Sequence, residues 1–233
     1  MSVDVIIPAY NPGIFLDEAI QSVLAQSYED INIFIIDDNS NEDVYSIVKK
    51  YKKINYIKNE RNMGPSYSRN VGIRASSSEY ISFLDADDVW CRDKLKSSIG
   101  ALKSDDSIGM TCGNYRRIMS GGVITRPFYR GPVDINLESL LKCNYVASGS
   151  VTVKRNIVEK AGLFDERFRV CEDYALWLSI AKIAKICYID EVLYFYRVVP
   201  NGSSITQSPG IQPVMDLNCE TIRNEIYDKR NIK

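Results

Sequence analysis

The chain has 233 residues, of which 45% are hydrophobic and 25% charged, and its formal net charge is -1. This composition is typical of a globular protein and excludes a disordered or fibrous one. A nearly neutral chain without a long basic block is not expected to bind nucleic acid, which requires a surface rich in lysine and arginine. Met1 is followed by neither a basic flank nor a long apolar segment, so the sequence predicts no signal peptide and no membrane span. We therefore expect a cytoplasmic protein.

The chain contains no histidine and six cysteines. The absence of histidine excludes Ser-His-Asp and Cys-His catalysis as well as histidine metal sites, so a carboxylate is the first candidate for a general base. The cysteines form no CxxC pair and have no zinc-site spacing. We expect them to be small core residues of a protein in a reducing compartment.

Four short apolar runs alternate with helical patterns in the first part of the chain, at residues 3–7, 31–36, 54–57 and 80–84. This alternation predicts a parallel sheet, because the crossover connections between parallel strands need the helices. In such sheets, ligands bind at the carboxyl ends of the strands. Three of the runs end there in polar clusters, namely residues 8–11 (PAYN), 37–40 (DDNS) and 85–88 (DADD).

Residues 80–90 (YISFLDADDVW) place three carboxylates, Asp85, Asp87 and Asp88, directly after an apolar strand. Burying an ionised carboxylate is costly, so we expect all three to lie in a solvated cleft or on a cation. Asp85 and Asp87 stand two residues apart and point the same way if the chain is extended. Mg²⁺ takes one or two carboxylates and completes its shell with phosphate oxygens and water. The stretch suggests a metal and diphosphate site, and the alternative is a solvated acidic turn that caps the next helix.

Weaker patterns predict the remaining elements. Ser40 is expected to cap a helix that begins near Glu42, with Asp43 as its capping-box partner. In the second half we predict helices over residues 93–102 and 156–161, strands over 108–112, 147–153, 186–188 and 192–197, and an irregular loop or hairpin over 113–131. Glu172 and Asp173 open a further amphipathic helix, at the end favoured by the helix dipole. A final helix follows the loop at 200–213 and carries a stripe of apolar residues, Val214, Leu217, Ile222 and Ile226.

Five motifs occur in a fixed order: PAYN (8–11), DDNS (37–40), NMGPSYSRN (62–70), DADD (85–88) and CEDYALWL (171–178). In this order they resemble the inverting glycosyltransferases of family 2, over about residues 3–204. The resemblance implies an α/β fold of the GT-A type, with a Rossmann-like, mostly parallel central sheet, flanking helices and an abutting acceptor-binding half. It divides the chain into a nucleotide-sugar-binding half (1–105), an acceptor-binding and catalytic half of the same domain (106–208) and a C-terminal helix (209–233).

The resemblance also assigns roles to individual residues. It makes Asp173 the catalytic base, Asp87 the direct ligand of a Mn²⁺ or Mg²⁺ ion, and Asp85 a neighbour of the ribose and of the metal's water shell. Asp38 matches the residue that binds the uracil edge. The full set implied to bind the nucleotide sugar is Pro8, Ala9, Tyr10, Asp38, Arg69, Asp85, Ala86 and Asp87.

Other interpretations of these residues stay open at this point. Asp37 and Asp38 could simply cap the following helix, and Arg69 could be an exposed helix charge. Glu172 either interacts favourably with the dipole of the helix that it opens or supports a neighbouring residue of the site. Members of the family often have a histidine near the metal after the last strand, where this chain has Val199.

The implied function is transfer of a sugar from a nucleotide-diphosphate donor, a UDP-sugar, to an acceptor hydroxyl on a saccharide or lipid-linked saccharide, in the synthesis of surface polysaccharide or lipid-linked oligosaccharide. One alternative is a sugar nucleotidyltransferase, but PAYNPG (8–13) stands where its Gly-rich phosphate loop would be. The other is a catalytically silent binding module, which would lack Asp173. For the C-terminal helix we retain three partners: its own domain, the inner face of a membrane as a peripheral contact, or a second copy in a homo-oligomer.

Overall fold

The computed structural model describes residues 1–119, 121–122, 124, 126–127, 134–199 and 208–231. The strands in these parts are β1 (Val3–Ala9), β2 (Ile31–Asp37), β3 (Ile54–Lys58), β4 (Tyr80–Phe83), β5 (Val89–Trp90), β6 (Ile108–Ile118), β7 (Asp134–Ile135), β8 (Thr152–Lys154) and β9 (Lys185–Arg197). The α-helices are α1 (Phe15–Leu24), α2 (Val44–Val48), α3 (Pro65–Ala75), α4 (Lys94–Ser104), α5 (Leu137–Lys142), α6 (Arg155–Lys160), α7 (Glu172–Ala181) and α8 (Ile211–Asn231).

All these strands belong to one sheet, in the order β3-β2-β1-β4-β8-β6-β9-β5, with β7 paired to β9 outside this path. The first four strands pair in parallel, as predicted, because a helix provides each crossover between them. β8 is antiparallel to both β4 and β6, whereas β9 is parallel to β6. The result is a mixed, mostly parallel central sheet flanked by helices, which confirms the predicted α/β class.

The sheet separates two apolar cores, and the strand β1 contributes to both. Val5 and Ile7 pack in one core with α1, α2 and α4, whereas Ile6 packs in the other with α3, α6, α7 and α8. Successive side chains of a strand point to opposite faces, so a strand covered on both sides is apolar throughout. This explains why the first strand has the continuous apolar sequence that made it recognisable.

Trp90 and Trp177 are core aromatics, with exposed fractions of 3% and 0%. The indole Nε1 of Trp90 donates to the carbonyl of Gly149 at 2.8 Å. Trp177 packs against Phe83 and Phe164, whose ring centroids lie 6.4 and 6.2 Å from its own. Both rings therefore serve to join the two halves of the chain.

The prediction that Ser40 caps a helix is wrong. The N-cap of α2 is Asp43, whose carboxylate accepts from the Ser46 backbone N at 3.0 Å, and the helix begins at Val44. The Ser40 hydroxyl instead accepts from the backbone N of Asn11 at 3.0 Å. It thereby ties the loop after β2 to the loop after β1, a long-range contact that helix-capping patterns do not reveal.

Three predicted elements in the second half also differ from the structure. The strand predicted over residues 147–153 is confirmed only at 152–153: Ser148–Ser150 form one 3₁₀ turn, and β8 begins at Thr152. β9 is a single strand where two were predicted, with an irregular register opposite Gly113 and Asn114 that accommodates the polar residues 190–191. The predicted loop or hairpin at 113–131 begins too early, because residues 113–118 continue β6. An antiparallel bridge then joins Ile118 to Ile124, as in a hairpin, and much of the remainder lies outside the described residues.

The C-terminal helix α8 buries only part of its apolar stripe. Ile222 and Ile226 are 3% and 7% exposed and belong to the core, whereas Val214 and Leu217 are 47% and 63% exposed. The helix therefore packs on its own domain through Ile222 and Ile226, whereas Val214 and Leu217 near its start remain exposed. Within the described residues, no helix combines the length and apolar character needed to cross a bilayer.

The expectation that the cysteines are core residues holds for Cys112 alone, which is buried. Cys143 is exposed, and Cys91, Cys171, Cys187 and Cys219 are partly exposed.

Candidate active site

A cleft of about 560 Å³ opens where the loops after β1, β2 and β4 meet the first turn of α7. It is lined by every residue that the sequence analysis assigned to the site: Pro8, Ala9, Tyr10, Asp38, Arg69, Asp85, Ala86, Asp87 and Asp173. The carboxyl ends of parallel neighbours meet at one edge of a sheet, and this brings the first-half residues together. Asp173 reaches the same cleft from the second half of the chain, 86 positions beyond Asp87 by their numbers.

Asp38 holds the loop that precedes α3. Its carboxylate accepts from Asn59 Nδ2 at 2.8 Å and from the backbone N atoms of Met63 and Gly64 at 2.9 and 2.7 Å. A carboxylate offers about four acceptor directions, so about one remains for a ligand in the cleft. Capping of the next helix is excluded for Asp38, because the groups it binds lie before α3 rather than α2.

Asp37 does not cap a helix either. Its side chain is buried and accepts from the Ser40 backbone N at 2.8 Å and from the Tyr56 hydroxyl at 2.7 Å. It closes the turn after β2 and thereby supports the position of Asp38.

Asp85 and Asp87 extend into the cleft from the end of β4. Asp85 forms an ion pair with Arg69 at 2.8 Å, and its side chain is 36% exposed. Burial, and then the negative charge of Asp85, raise the pKa of Asp87 to about 6. A carboxylate whose charge is disfavoured in this way would be stabilised by a cation placed between the two side chains.

The third carboxylate of this group, Asp88, does not lie in the solvated cleft, so the prediction for it is wrong. It is 1% exposed and accepts from the backbone N of Arg197 at 2.8 Å. Burial, followed by the charges of Asp87 and Asp85, raises the pKa of Asp88 well above its usual range. The guanidinium of Arg197 in turn donates to the Asp87 carbonyl at 2.8 Å and binds Glu18 on α1. These contacts fix the backbone of the acidic segment.

Arg69 lies beneath the floor of the cleft rather than on an exposed helix face, since it is 3% exposed. Its two terminal nitrogens donate to Asp85 at 2.8 Å and to Glu172 at 2.7 Å. The ring of Phe164 covers the guanidinium, 5.3 Å from its centroid. One buried cation therefore joins the acidic segment after β4 to the first turn of α7.

Glu172 and Asp173 occupy that first turn but face different partners. Glu172 is buried against Arg69, and its burial raises the pKa to about 7 even though Arg69 opposes the shift. Asp173 accepts from the Ser148 hydroxyl at 3.1 Å and from the Tyr174 backbone N at 2.6 Å. Burial raises the pKa of Asp173 as well. Asp173 is thus a partly buried carboxylate held at the cleft, as a general base requires.

Sequence reasoning did not identify Ser148 and Arg197 as parts of the site. Ser148 lies in the 3₁₀ turn that was predicted to be a strand, and its contact to Asp173 spans 25 positions. The structure places the ring of Tyr194 against Gly149, the residue after Ser148: a Cβ at Gly149 would lie 2.6 Å from that ring.

The carboxylates of the cleft can supply only part of the ligand shell of a hard divalent cation. Asp85 and Asp87 supply carboxylate oxygens, the donors that Mg²⁺ and Mn²⁺ prefer. Within the described residues, no three or more His, Cys, Asp or Glu side chains are grouped so that they could hold a metal ion by themselves. The donor set therefore fits an ion that takes most of its shell from water and from a bound phosphate.

Comparison with known proteins agrees with this arrangement. A family model described as "Glycosyl transferase family 2" matches residues 4–161. The chain therefore belongs to glycosyltransferase family 2. A UDP-Glc:alpha-D-GlcNAc-diphosphoundecaprenol beta-1,3-glucosyltransferase of Escherichia coli is 34% identical over 84% of this chain and 77% of its own length. A putative teichuronic acid biosynthesis glycosyltransferase of Bacillus subtilis is 29% identical over 87% and 81%.

Other relatives are much longer than this chain. An uncharacterized glycosyltransferase of Rickettsia felis is 34% identical over 97% of the chain, which spans only 38% of that relative's length. Among solved structures, residues 1–349 of S. aureus TarS in complex with UDP-GlcNAc superimpose with a TM-score of 0.74 at 18% identity, covering 97% of this chain and 72% of the other. This structural likeness establishes the fold, which is the GT-A type that the motifs implied.

Proposed function

We propose that the chain transfers a sugar, with inversion at the anomeric carbon, from a UDP-sugar to an acceptor hydroxyl. Asp173 is the general base: it takes the hydroxyl proton as the oxygen attacks the face opposite the leaving diphosphate. Direct attack from that face inverts the anomeric centre. Pro8, Ala9, Tyr10 and Asp38 are proposed to bind the uridine, and Ala86 to border the donor between the two aspartates.

The observation that carries this proposal is the pair of bonds made by Arg69. This one guanidinium binds both Asp85 and Glu172. Because Asp173 follows Glu172 directly, the proposed base lies close to the acidic segment at residues 85–88. A base and a diphosphate-binding segment at one cleft are what a single displacement at the anomeric carbon needs. A binding module would not need a partly buried carboxylate with a raised pKa opposite the donor.

A Mn²⁺ or Mg²⁺ ion is part of the proposal. Asp87 would bind it directly and Asp85 through its water shell, which fits the two carboxylates and the raised pKa of Asp87. When bound, such an ion stabilises the negative charge that develops on the departing diphosphate. Arg69 keeps Asp85 in place but, because it is buried, it is not proposed to donate to the diphosphate itself.

The relatives suggest the acceptor and its setting. The name of the Escherichia coli relative specifies a diphosphoundecaprenol-linked acceptor, and that of the Bacillus subtilis relative specifies teichuronic acid biosynthesis. We propose a saccharide or lipid-linked saccharide as the acceptor, and synthesis of a surface polysaccharide or lipid-linked oligosaccharide as the process. Such a reaction would take place in the cytoplasm or at the inner face of the membrane.

The test uses UDP-glucose and UDP-GlcNAc, each with and without Mn²⁺, first in thermal shift and then in an assay of slow hydrolysis to UDP. We expect a rise in Tm that requires both the nucleotide sugar and the cation, and UDP release that Asp173→Asn greatly reduces. Binding without any UDP release would identify a binding module. Release of a nucleoside triphosphate on addition of pyrophosphate would instead identify a nucleotidyltransferase.

A further inference from the structure

Two cysteines meet at the edge of the cleft, although 48 positions separate them in the sequence. Cys171 is the residue before Glu172, at the N-terminus of α7, and Cys219 lies in α8. Their sulfur atoms are 3.4 Å apart. Both side chains line the cleft and both are partly exposed, so a small reagent can reach them.

The surroundings of the pair suit a cross-link more than simple packing. The side chains come from two separate helices that pack against each other, so their approach is set by tertiary structure rather than by a local turn. Cys171 has a positive φ of 64°, a conformation that residues other than glycine rarely adopt, and this conformation holds its side chain toward α8. Both side chains also pack against the apolar core on this face of the sheet, which holds the two thiols in place.

We propose that Cys171 and Cys219 are a redox modification site, at which a small-molecule disulfide such as oxidised glutathione forms a reversible disulfide between α7 and α8. The cross-link itself does not depend on the proposed sugar transfer, since the two thiols are defined by their own geometry. Its effect on UDP release does rest on the proposed function.

The reaction consists of two exchanges. The thiolate of Cys219 attacks one sulfur of the oxidised glutathione, forms a mixed disulfide and releases one glutathione thiolate. Cys171 then loses its proton and attacks the Cys219 sulfur, which releases the second glutathione. In total, two protein thiols are oxidised, one glutathione disulfide is reduced to two thiols, and the two protein protons go to the leaving thiolates. Burial raises the pKa of Cys171, which disfavours its thiolate in the free pair.

The cross-link changes the cleft next to Asp173. A disulfide bond is about 2.05 Å long, so the sulfur atoms must approach by more than an ångström. Cys171 is two residues before Asp173, and a displacement of about 1 Å at a reacting group can cost on the order of a hundredfold in rate. We therefore expect the oxidised chain to release UDP more slowly than the reduced chain, by about tenfold or more.

The experiment incubates the purified chain in glutathione buffers of increasing oxidised fraction, traps free thiols and identifies linked peptides by mass spectrometry without reduction. We expect a Cys171–Cys219 peptide that disappears on addition of dithiothreitol and does not form in Cys219→Ser. The matched control is Cys143→Ser, which removes an exposed thiol elsewhere and is expected to leave the cross-link intact. UDP release is then compared between oxidised and reduced wild type, with Cys219→Ser expected to be insensitive to the oxidant.

Two results would overturn the proposal. One is a set of mixed disulfides with glutathione at single cysteines, without the Cys171–Cys219 peptide. The other is a cross-linked chain that releases UDP as fast as the reduced chain. A wild type that forms the cross-link but never releases UDP would count against the proposed function alone, because the peptide measurement needs no activity.

Discussion

Replacement of Arg69 by methionine tests the central contact of the cleft. The guanidinium is buried and binds Asp85 and Glu172, so the substitution removes the cation and leaves both carboxylates in place. The side chain of Asp85 is 36% exposed and can be hydrated, whereas that of Glu172 is 11% exposed. The cost of the substitution should therefore come mainly from Glu172.

Removing one partner of a buried ion pair typically costs about 3–5 kcal/mol. Arg69 lowers the pKa of Glu172, which burial nevertheless raises to about 7. Without Arg69 this pKa rises further, so Glu172 is largely protonated in the folded variant at neutral pH. Protonation limits the loss, and we expect about 3 kcal/mol at pH 7. A carboxyl whose pKa is raised in the folded state makes the protein less stable as pH rises. The unfolding free energy lost relative to wild type should therefore be smaller at pH 5 and larger at pH 8.5.

The assay is urea unfolding of Arg69→Met at these three pH values. The matched control is Arg74→Met on the same helix, which breaks an exposed ion pair of 3.3 Å with Glu166 and should cost less than about 1 kcal/mol. Adding Glu172→Gln to Arg69→Met should recover part of the loss and reduce its pH dependence, of which a part remains because Arg69 also lowers the pKa of Asp173. Equal effects of Arg69→Met and Arg74→Met would refute the reasoning.

Three further predictions concern the base and a buried lysine. Asp173→Asn should lower the rate of UDP release by about 10²–10⁴-fold while UDP-sugar binding, measured by calorimetry, changes little; comparable losses in both would contradict the assignment. Burial raises the pKa of Asp173, so kcat should increase with pH around a pKa higher than the ordinary aspartate value of about 3.9. The pH profile of the Asn variant should lack this increase. Lys94→Met should cost about 1–3 kcal/mol of unfolding free energy, because Lys94 is fully buried and donates to the Val151 carbonyl at 2.9 Å and to Thr152 Oγ1 at 2.8 Å. Burial lowers the pKa of Lys94, so the folded state binds fewer protons at this side chain, and the stability of wild type relative to the Met variant should increase as pH rises toward 10 when both are titrated with urea.

The first half of the fold could be predicted because its information is local. Each parallel strand is an apolar run, and each run ends in residues that a strand interior does not tolerate, such as Pro8 or the carboxylates after Phe83. Since parallel strands end at one edge of the sheet, the convergence of Asp38 and Asp87 followed from their order in the chain. The corresponding side chains do line one cleft.

The contacts between the halves could not be predicted, because nothing local encodes them. The bond between Arg69 and Glu172 spans 103 positions, and the sequence around Arg69 is equally compatible with an exposed helix face. Asp88 looks like its neighbours Asp85 and Asp87, yet it is buried because the backbone N of Arg197 comes to it from β9. The 3₁₀ turn at Ser148 replaces an expected strand because Tyr194 packs against Gly149.

Arg197 connects three parts of the chain: the Asp87 carbonyl, the Asp88 carboxylate through its backbone N, and Glu18 on the first helix. Glu18 does not line the cleft, yet it helps to hold the side chain that supports the acidic segment. A substitution at either position leaves the other charge without this partner, and the loss falls mainly on Arg197, whose side chain is 13% exposed against 54% for Glu18. Across a large set of aligned relatives, positions 18 and 197 should accordingly covary, and statistical independence of the two columns would argue that the link is dispensable.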